Sequence, residues 1–248
     1  MSNNRVWISS TLTLAGVGCG FVSLINLVEG RYVAGMLWMF LAVFFDGIDG
    51  KVASLLGAKS QLGAVLDSQC DVVSFALLPG VAIYLFFERS PDDGLLLAVA
   101  AWTAGIGYTC AGIFREVRFL ATQVDRKRSE GFLGLPIAPP AGLNVAALSL
   151  ANLFPHLFYK PVWQVAVFLM AALNAYLMTF STVHYLRWGG RAMASQTFIS
   201  LTAGVAAYFV LGTFGAFLAI FCIFFCGIYI SFHLIQALFQ KMSGTESR

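Results

Sequence analysis

The sequence predicts an all-α fold: a polytopic transmembrane bundle of about eight helices with both termini on the cytoplasmic side. Three observations carry that expectation. The first is composition. Of 248 residues, 59% are hydrophobic and 11% charged, with a mean hydropathy of +0.80, whereas soluble domains carry about 25% charged residues. The second is a series of apolar runs, near 7–28, 32–54, 61–87, 94–119, 136–154, 162–186, 196–212 and 215–238. These have the roughly 17–25 residues that a helix needs to cross a bilayer. The third is charge asymmetry. With eight spans, twelve of the fifteen Lys and Arg fall on the side of the N-terminus, and only Arg31, Arg89 and Lys160 fall opposite. Lys and Arg accumulate in cytoplasmic loops. The net charge of +3 is spread over several such loops, and no nucleic-acid partner is expected.

Taken in order, the first run follows directly on Met1 to Trp7 with no small-residue cleavage site, and reads as a retained helix. The second ends in an acidic, glycine-containing stretch, and Gly57-Ala58-Lys59-Ser60 forms the turn to the third. The fourth ends on Arg115 and Arg118, spaced i,i+3 on one face. Such arginines either snorkel to headgroups or bind an anionic substrate. Ala121 to Gly134 is a polar, basic inner loop, and four further apolar runs follow it, the last two divided around Gly212 to Gly215. The five cysteines all lie in apolar segments, which argues for packing and against a disulfide framework. The whole chain, 1–248, reads as one membrane domain, with a motif-bearing core over 1–186 and additional helices over 196–238.

Four aspartates interrupt this apolar background. Asp46 and Asp49 are spaced i,i+3, and Asp67 and Asp71 i,i+4, so on helices each pair shares a face. Ionisable groups at membrane depth are costly and point into a cavity or at a partner. Four converging carboxylates repel one another unless cations lie between them, and hard divalent ions with oxygen ligands answer that need. Phosphate loops of the Walker type, HExxH zinc motifs and Ser/His/Asp arrangements are absent from the sequence.

The spacing Asp46-x2-Asp49-Gly50-x2-Ala53-x9-Gly63-x3-Asp67-x3-Asp71 resembles the signature of the CDP-alcohol phosphotransferases across 26 residues. Beyond it, Asp67-Ser68-x2-Asp71-Val72-Val73-Ser74-Phe75, Arg115-x2-Arg118-Phe119 and Gly134-Leu135-Pro136 are similar to the CDP-diacylglycerol–serine O-phosphatidyltransferases. So are Leu12-Thr13-Leu14 with Cys19-Gly20-Phe21, and Glu29-Gly30-Arg31-Tyr32. The chain departs from the family at Ser54, where an arginine is usual, and at Ser10 and Gly16, where asparagines are expected.

The resemblance implies transfer of a phosphatidyl group from CDP-diacylglycerol to L-serine, giving phosphatidylserine and CMP, in a homodimer of the inner membrane whose site faces the cytoplasm. It implies two divalent cations, Mg or Mn, held by Asp46, Asp49, Asp67 and Asp71, with Asp71 as the general base. Gly50, Ala53 and Gly63 would make room for the nucleotide, and Lys51 or Lys59 would replace the missing arginine. Arg115, Arg118 and Arg126 are the candidates for the serine carboxylate, because a guanidinium fork matches a carboxylate, and Glu116 or Asp125 for its ammonium. Three alternatives remain: the same chemistry on another acceptor (inositol phosphate, glycerol phosphate or choline), a divalent-cation transporter, and a catalytically silent scaffold.

Overall fold

Apolar runs bounded by turn residues fold into the expected helices, in a computed structural model that describes residues 3–58, 60–91, 94–123, 132–133, 135–179, 184–185 and 190–242. The helices are α1 (Asn3–Val28), α2 (Tyr32–Leu55), α3 (Gln61–Asp71), α4 (Leu78–Glu88), α5 (Leu95–Gln123), α6 (Ala138–Leu153), α7 (Pro155–Phe158), α8 (Pro161–Thr179), α9 (Gly190–Leu211) and α10 (Phe214–Met242). A π-helical stretch, Val72–Leu77, joins α3 to α4. A two-residue antiparallel pairing of β1 (Phe132–Leu133) with β2 (His184–Tyr185) is the remaining element.

Six helical segments among the described residues are long and apolar enough to cross a membrane: Trp7–Val28, Tyr32–Leu55, Gln61–Glu88, Leu95–Ala121, Pro161–Thr179 and Phe214–Phe232. Large side chains such as Trp7, Phe21, Phe44, Leu96 and Phe209 stand exposed along the bundle, as lipid-facing residues do. The expected run at 136–154 is the shorter helix α6, and that at 196–212 falls in α9, whose apolar stretch is Ile199–Leu211. At 16 residues, α6 extends about 24 Å, less than a hydrocarbon core of about 30 Å. It need not match the bilayer, because Ala141, Gly142, Asn144 and Leu150 are buried on several of its faces. It stands inside the bundle, against α2, α4, α8 and α10.

The turns follow local chemistry. Gly57 takes φ +61° as α2 ends, and the Ala58 N–H reaches back to the Ala53 carbonyl at 2.9 Å, the six-to-one closure of a left-handed cap. Ser60 then caps α3, its hydroxyl oxygen accepting from the Gly63 N–H at 3.0 Å. Gly212, at φ +68°, divides α9 from α10. At the other end of α2, Arg89 donates to the Tyr32 hydroxyl and to the Val28 carbonyl, and lies over the Tyr32 ring.

The third span contains a feature its sequence did not suggest. The π-helical stretch begins directly after Asp71. Pro79 follows it inside α4 and has no N–H for the Phe75 carbonyl four residues back. Side chains of α5 approach the carbonyls here, the Tyr108 hydroxyl at 3.4 Å from the Phe75 oxygen and the Thr109 hydroxyl at 3.5 Å from that of Ala76. A widened turn re-aims the residues at its border.

Candidate active site

Helix register brings the four aspartates together. Each of Asp49 and Asp67 lies six residues from the end of its helix at the 56–60 turn, whereas Asp46 lies nine and Asp71 ten. At 1.5 Å per residue the two levels are about 9 and 14 Å into the helices. The contacts follow those levels: the Asp49 carboxyl meets Asp67, and that of Asp46 meets Asp71. Oxygens of Asp46, Asp49 and Asp67 lie within 4.8 Å of one another. Asp49 is buried, with 4% of its surface exposed. The other three are half-buried.

The first helix orients this cluster. Thr13 donates to Asp49 Oδ2 at 2.5 Å and shares its hydroxyl with the Ser9 carbonyl at 3.1 Å. The sequence marked the segment around Thr13 but gave that residue no role, because a partner 36 positions away is not visible in a local pattern. Asp67 Oδ1 is buried and has no hydrogen-bond partner among the described residues. An orphaned carboxylate oxygen facing two other carboxylates suits a hard cation in donor chemistry and position.

The motif glycines line open space. A Cβ built on Gly47 or Gly50 would meet no heavy atom within 4 Å, and one on Gly63 would meet only the Ser60 hydroxyl. In the fold, α2 packs on α1, α6 and α10, and α3 on α1, α5 and the π-helical stretch. Gly50 has open space beside it and, among the described residues, no neighbouring helix against it. Ala53 is half-buried, and Lys51 and Ser54 are exposed on the same stretch of α2. Lys59 lies outside the described residues.

The arginines expected to share one site separate. Arg115 is buried and pairs with the buried Glu116, and both act electrostatically on Asp46. Glu116 also accepts from the Ser68 hydroxyl at 3.2 Å, tying α5 to the helix that bears Asp67 and Asp71. Arg118 turns to the end of α8 and donates to the Thr179 carbonyl at 2.6 Å and to the Met178 carbonyl at 2.8 Å. Final helix carbonyls lack intrahelical donors, and this guanidinium supplies them. Arg126 lies outside the described residues. Glu116 is one of the two acids the sequence offers for the acceptor ammonium, and the other, Asp125, lies outside the described residues; the bond of Glu116 to Ser68, 48 positions away, has no local signal.

Comparison with known proteins agrees with this arrangement. Residues 6–159 match the CDP-alcohol phosphatidyltransferase family, a span that contains all four aspartates and both Arg115 and Glu116. The chain is 27% identical over 160 residues to a CDP-diacylglycerol–serine O-phosphatidyltransferase of Mycobacterium bovis, covering 63% of this chain and 54% of that protein. It is 33% identical over 135 residues to the enzyme of that name from Methanocaldococcus jannaschii, covering 53% and 60%. A phosphatidylcholine synthase of Brucella melitensis is 42% identical over 77 residues, covering 29% and 28%. The chain thus spans about half the length of the mycobacterial relative it matches. With more than half of the chain matched and the signature carboxylates gathered inside the matched span, the protein belongs to the CDP-alcohol phosphatidyltransferase family.

Proposed function

We propose that the protein transfers the phosphatidyl group of CDP-diacylglycerol to L-serine, releasing CMP, at the cytoplasmic side of the inner membrane. The observation that supports this most directly is the carboxylate cluster of Asp46, Asp49 and Asp67, with Gly47 and Gly50 exposed on the same helix as the first two. Relatives named for that reaction support the choice of acceptor.

Asp46, Asp49 and Asp67 would hold divalent cations, Mg or Mn, with Asp71 completing the set beside Asp46. Such ions supply charge neutralisation for a diphosphate and its departing nucleotide. The chain's residues do the rest. Gly50, Ala53 and Gly63 leave room for the nucleotide against the backbone, and Lys51, exposed on the same helix, can reach its phosphates. We assign Lys59 the same role. Thr13 fixes the Asp49 carboxyl beside that of Asp67. Asp71 takes the proton of the acceptor hydroxyl as its oxygen bonds to the lipid phosphorus. The bond from that phosphorus to the bridging oxygen breaks, and the oxygen leaves on CMP. Phosphoryl transfer needs alignment and charge stabilisation more than covalent help.

Arg115 is the described arginine that acts electrostatically on Asp46, and we assign it the acceptor carboxylate; Arg118 holds the end of α8, and Arg126 is a further candidate. We further propose a homodimer, and a catalytic core within 1–186. Choline is the second reading for the acceptor, supported by the similarity to a phosphatidylcholine synthase.

An acceptor panel tests the assignment. Purified protein with CDP-diacylglycerol and Mg or Mn should release CMP with L-serine and yield phosphatidylserine by mass. Equal CMP release with choline, glycerol 3-phosphate or inositol phosphate would overturn the serine assignment.

A further inference from the structure

Glu116 is a fifth acid in a place that already has four. It is 1% exposed, and its neighbour Arg115 is 5% exposed. Its carboxylate acts electrostatically on Asp46, Asp67 and Asp71. A site that receives a diphosphate gains nothing from further negative charge. As a structural tie the pair is also poorly suited, since a buried ion pair is often no more stable than well-packed apolar residues of the same volume. Both charges, moreover, are consecutive on one helix, where neighbours normally diverge. Here they pair with each other, and Glu116 reaches Ser68 on the helix that bears Asp67 and Asp71.

The pair has hydrogen-bonding capacity left to offer. Arg115 Nε is buried and has no partner among the described residues. Glu116 uses Oε1 for Arg115 and Oε2 for the Ser68 hydroxyl, but a carboxylate has about four lone-pair positions. An unused guanidinium N–H beside a carboxylate with spare acceptor capacity is the complement of a carboxylate next to an ammonium. That is the head of an α-amino acid, whose two charges are separated by a single carbon. A cation alone would leave Arg115 Nε unsatisfied, and an anion alone would meet five carboxylates.

We infer that Arg115 and Glu116 together recognise a zwitterionic acceptor, with Glu116 taking its ammonium and Ser68 holding the Glu116 carboxylate in place. This rests on the phosphotransfer reading above and adds a specificity-determining residue to it.

Three acceptors separate the two charges: L-serine, ethanolamine (ammonium without carboxylate) and glycerate (carboxylate without ammonium). The wild-type protein is expected to favour serine over both. Glu116→Gln is expected to raise the serine KM by about tenfold or more, the range of a hydrogen bond between charged groups. It should narrow the preference of serine over glycerate by a similar factor and leave the KM for CDP-diacylglycerol within about twofold. Glu116→Asp should recover part of the loss.

Calorimetry of serine binding in the presence of Mn and CMP gives a readout without turnover, in which Glu116→Gln should weaken serine and not CMP. Loss of Mn or CMP binding in that variant, or an equal fall in kcat for all acceptors at unchanged KM, would overturn the inference in favour of a role in the carboxylate cluster. Glycerate serving the wild type as well as serine would overturn it too. If the wild type turns over no acceptor, the phosphotransfer reading fails, and the calorimetric preference for serine over ethanolamine and glycerate still decides the assignment of the pair.

Discussion

Gly50→Ala separates a substrate-binding glycine from a packing glycine, because the two readings predict opposite signs. Gly50 lies within α2, where glycine is less stable than alanine by about 0.5–1 kcal/mol. A methyl group there meets no protein atom within 4 Å, so nothing opposes that gain, and the variant should be more stable by about 0.5–1 kcal/mol. If the nucleotide of the donor lies against this backbone, the same methyl occupies its space. The KM for CDP-diacylglycerol should then rise by about tenfold or more, or about 1.4 kcal/mol. Gly112→Ala is the contrasting case. Its Cβ would come 2.6 Å from the Ala76 Cβ and 3.1 Å from Ile137 Cδ1, and overpacking of that kind costs about 1–3 kcal/mol. It should lower stability and leave the KM for the donor unchanged. Unfolding by SDS titration in mixed micelles, followed by tryptophan fluorescence, gives the stabilities, and CMP release gives the kinetics. Gly50→Ala that is less stable than wild type, or more stable with an unaltered KM, would refute the reasoning.

Other expectations follow from the same geometry. Mn should raise the melting temperature of the substrate-free protein, by about 2.7 kcal/mol of stabilisation at a hundred times Kd; EDTA should reverse the effect, and Asp67→Asn should abolish most of it. Thr13→Val removes the hydrogen bond that orients Asp49 and should weaken Mn binding about tenfold to a hundredfold, measured by calorimetry; unchanged affinity would show that α1 does not position the cluster. Asp71→Asn should lower turnover by a factor of about 10² to 10⁴ while CDP-diacylglycerol still binds in a fluorescence displacement assay. Arg118→Gln removes two donors from the end of α8 and should destabilise the protein by about 1–3 kcal/mol, with the serine KM within twofold of wild type; a selective rise in that KM would return Arg118 to the acceptor site.

What the chain determined locally is its membrane character, the positions of its helices and the pairing of carboxylates within each helix. Hydropathy and i,i+3 or i,i+4 spacing are properties of one segment at a time, and so Asp46 with Asp49, and Asp67 with Asp71, were legible as pairs sharing a face. The turn at 57–60 was legible for the same reason, since Gly57 and Ser60 act within a few residues of themselves. Only tertiary structure decided the partners across helices: Thr13 with Asp49, Ser68 with Glu116, and Arg118 with α8 instead of with Arg115. The π-helical stretch belongs with these, because the α5 side chains that approach its carbonyls lie more than thirty residues away. So does the length of α6, whose burial among its neighbours frees it from matching the bilayer. A hydrogen bond or a packed face between distant segments depends on where both chains arrive in space, and no periodicity within either segment encodes that meeting.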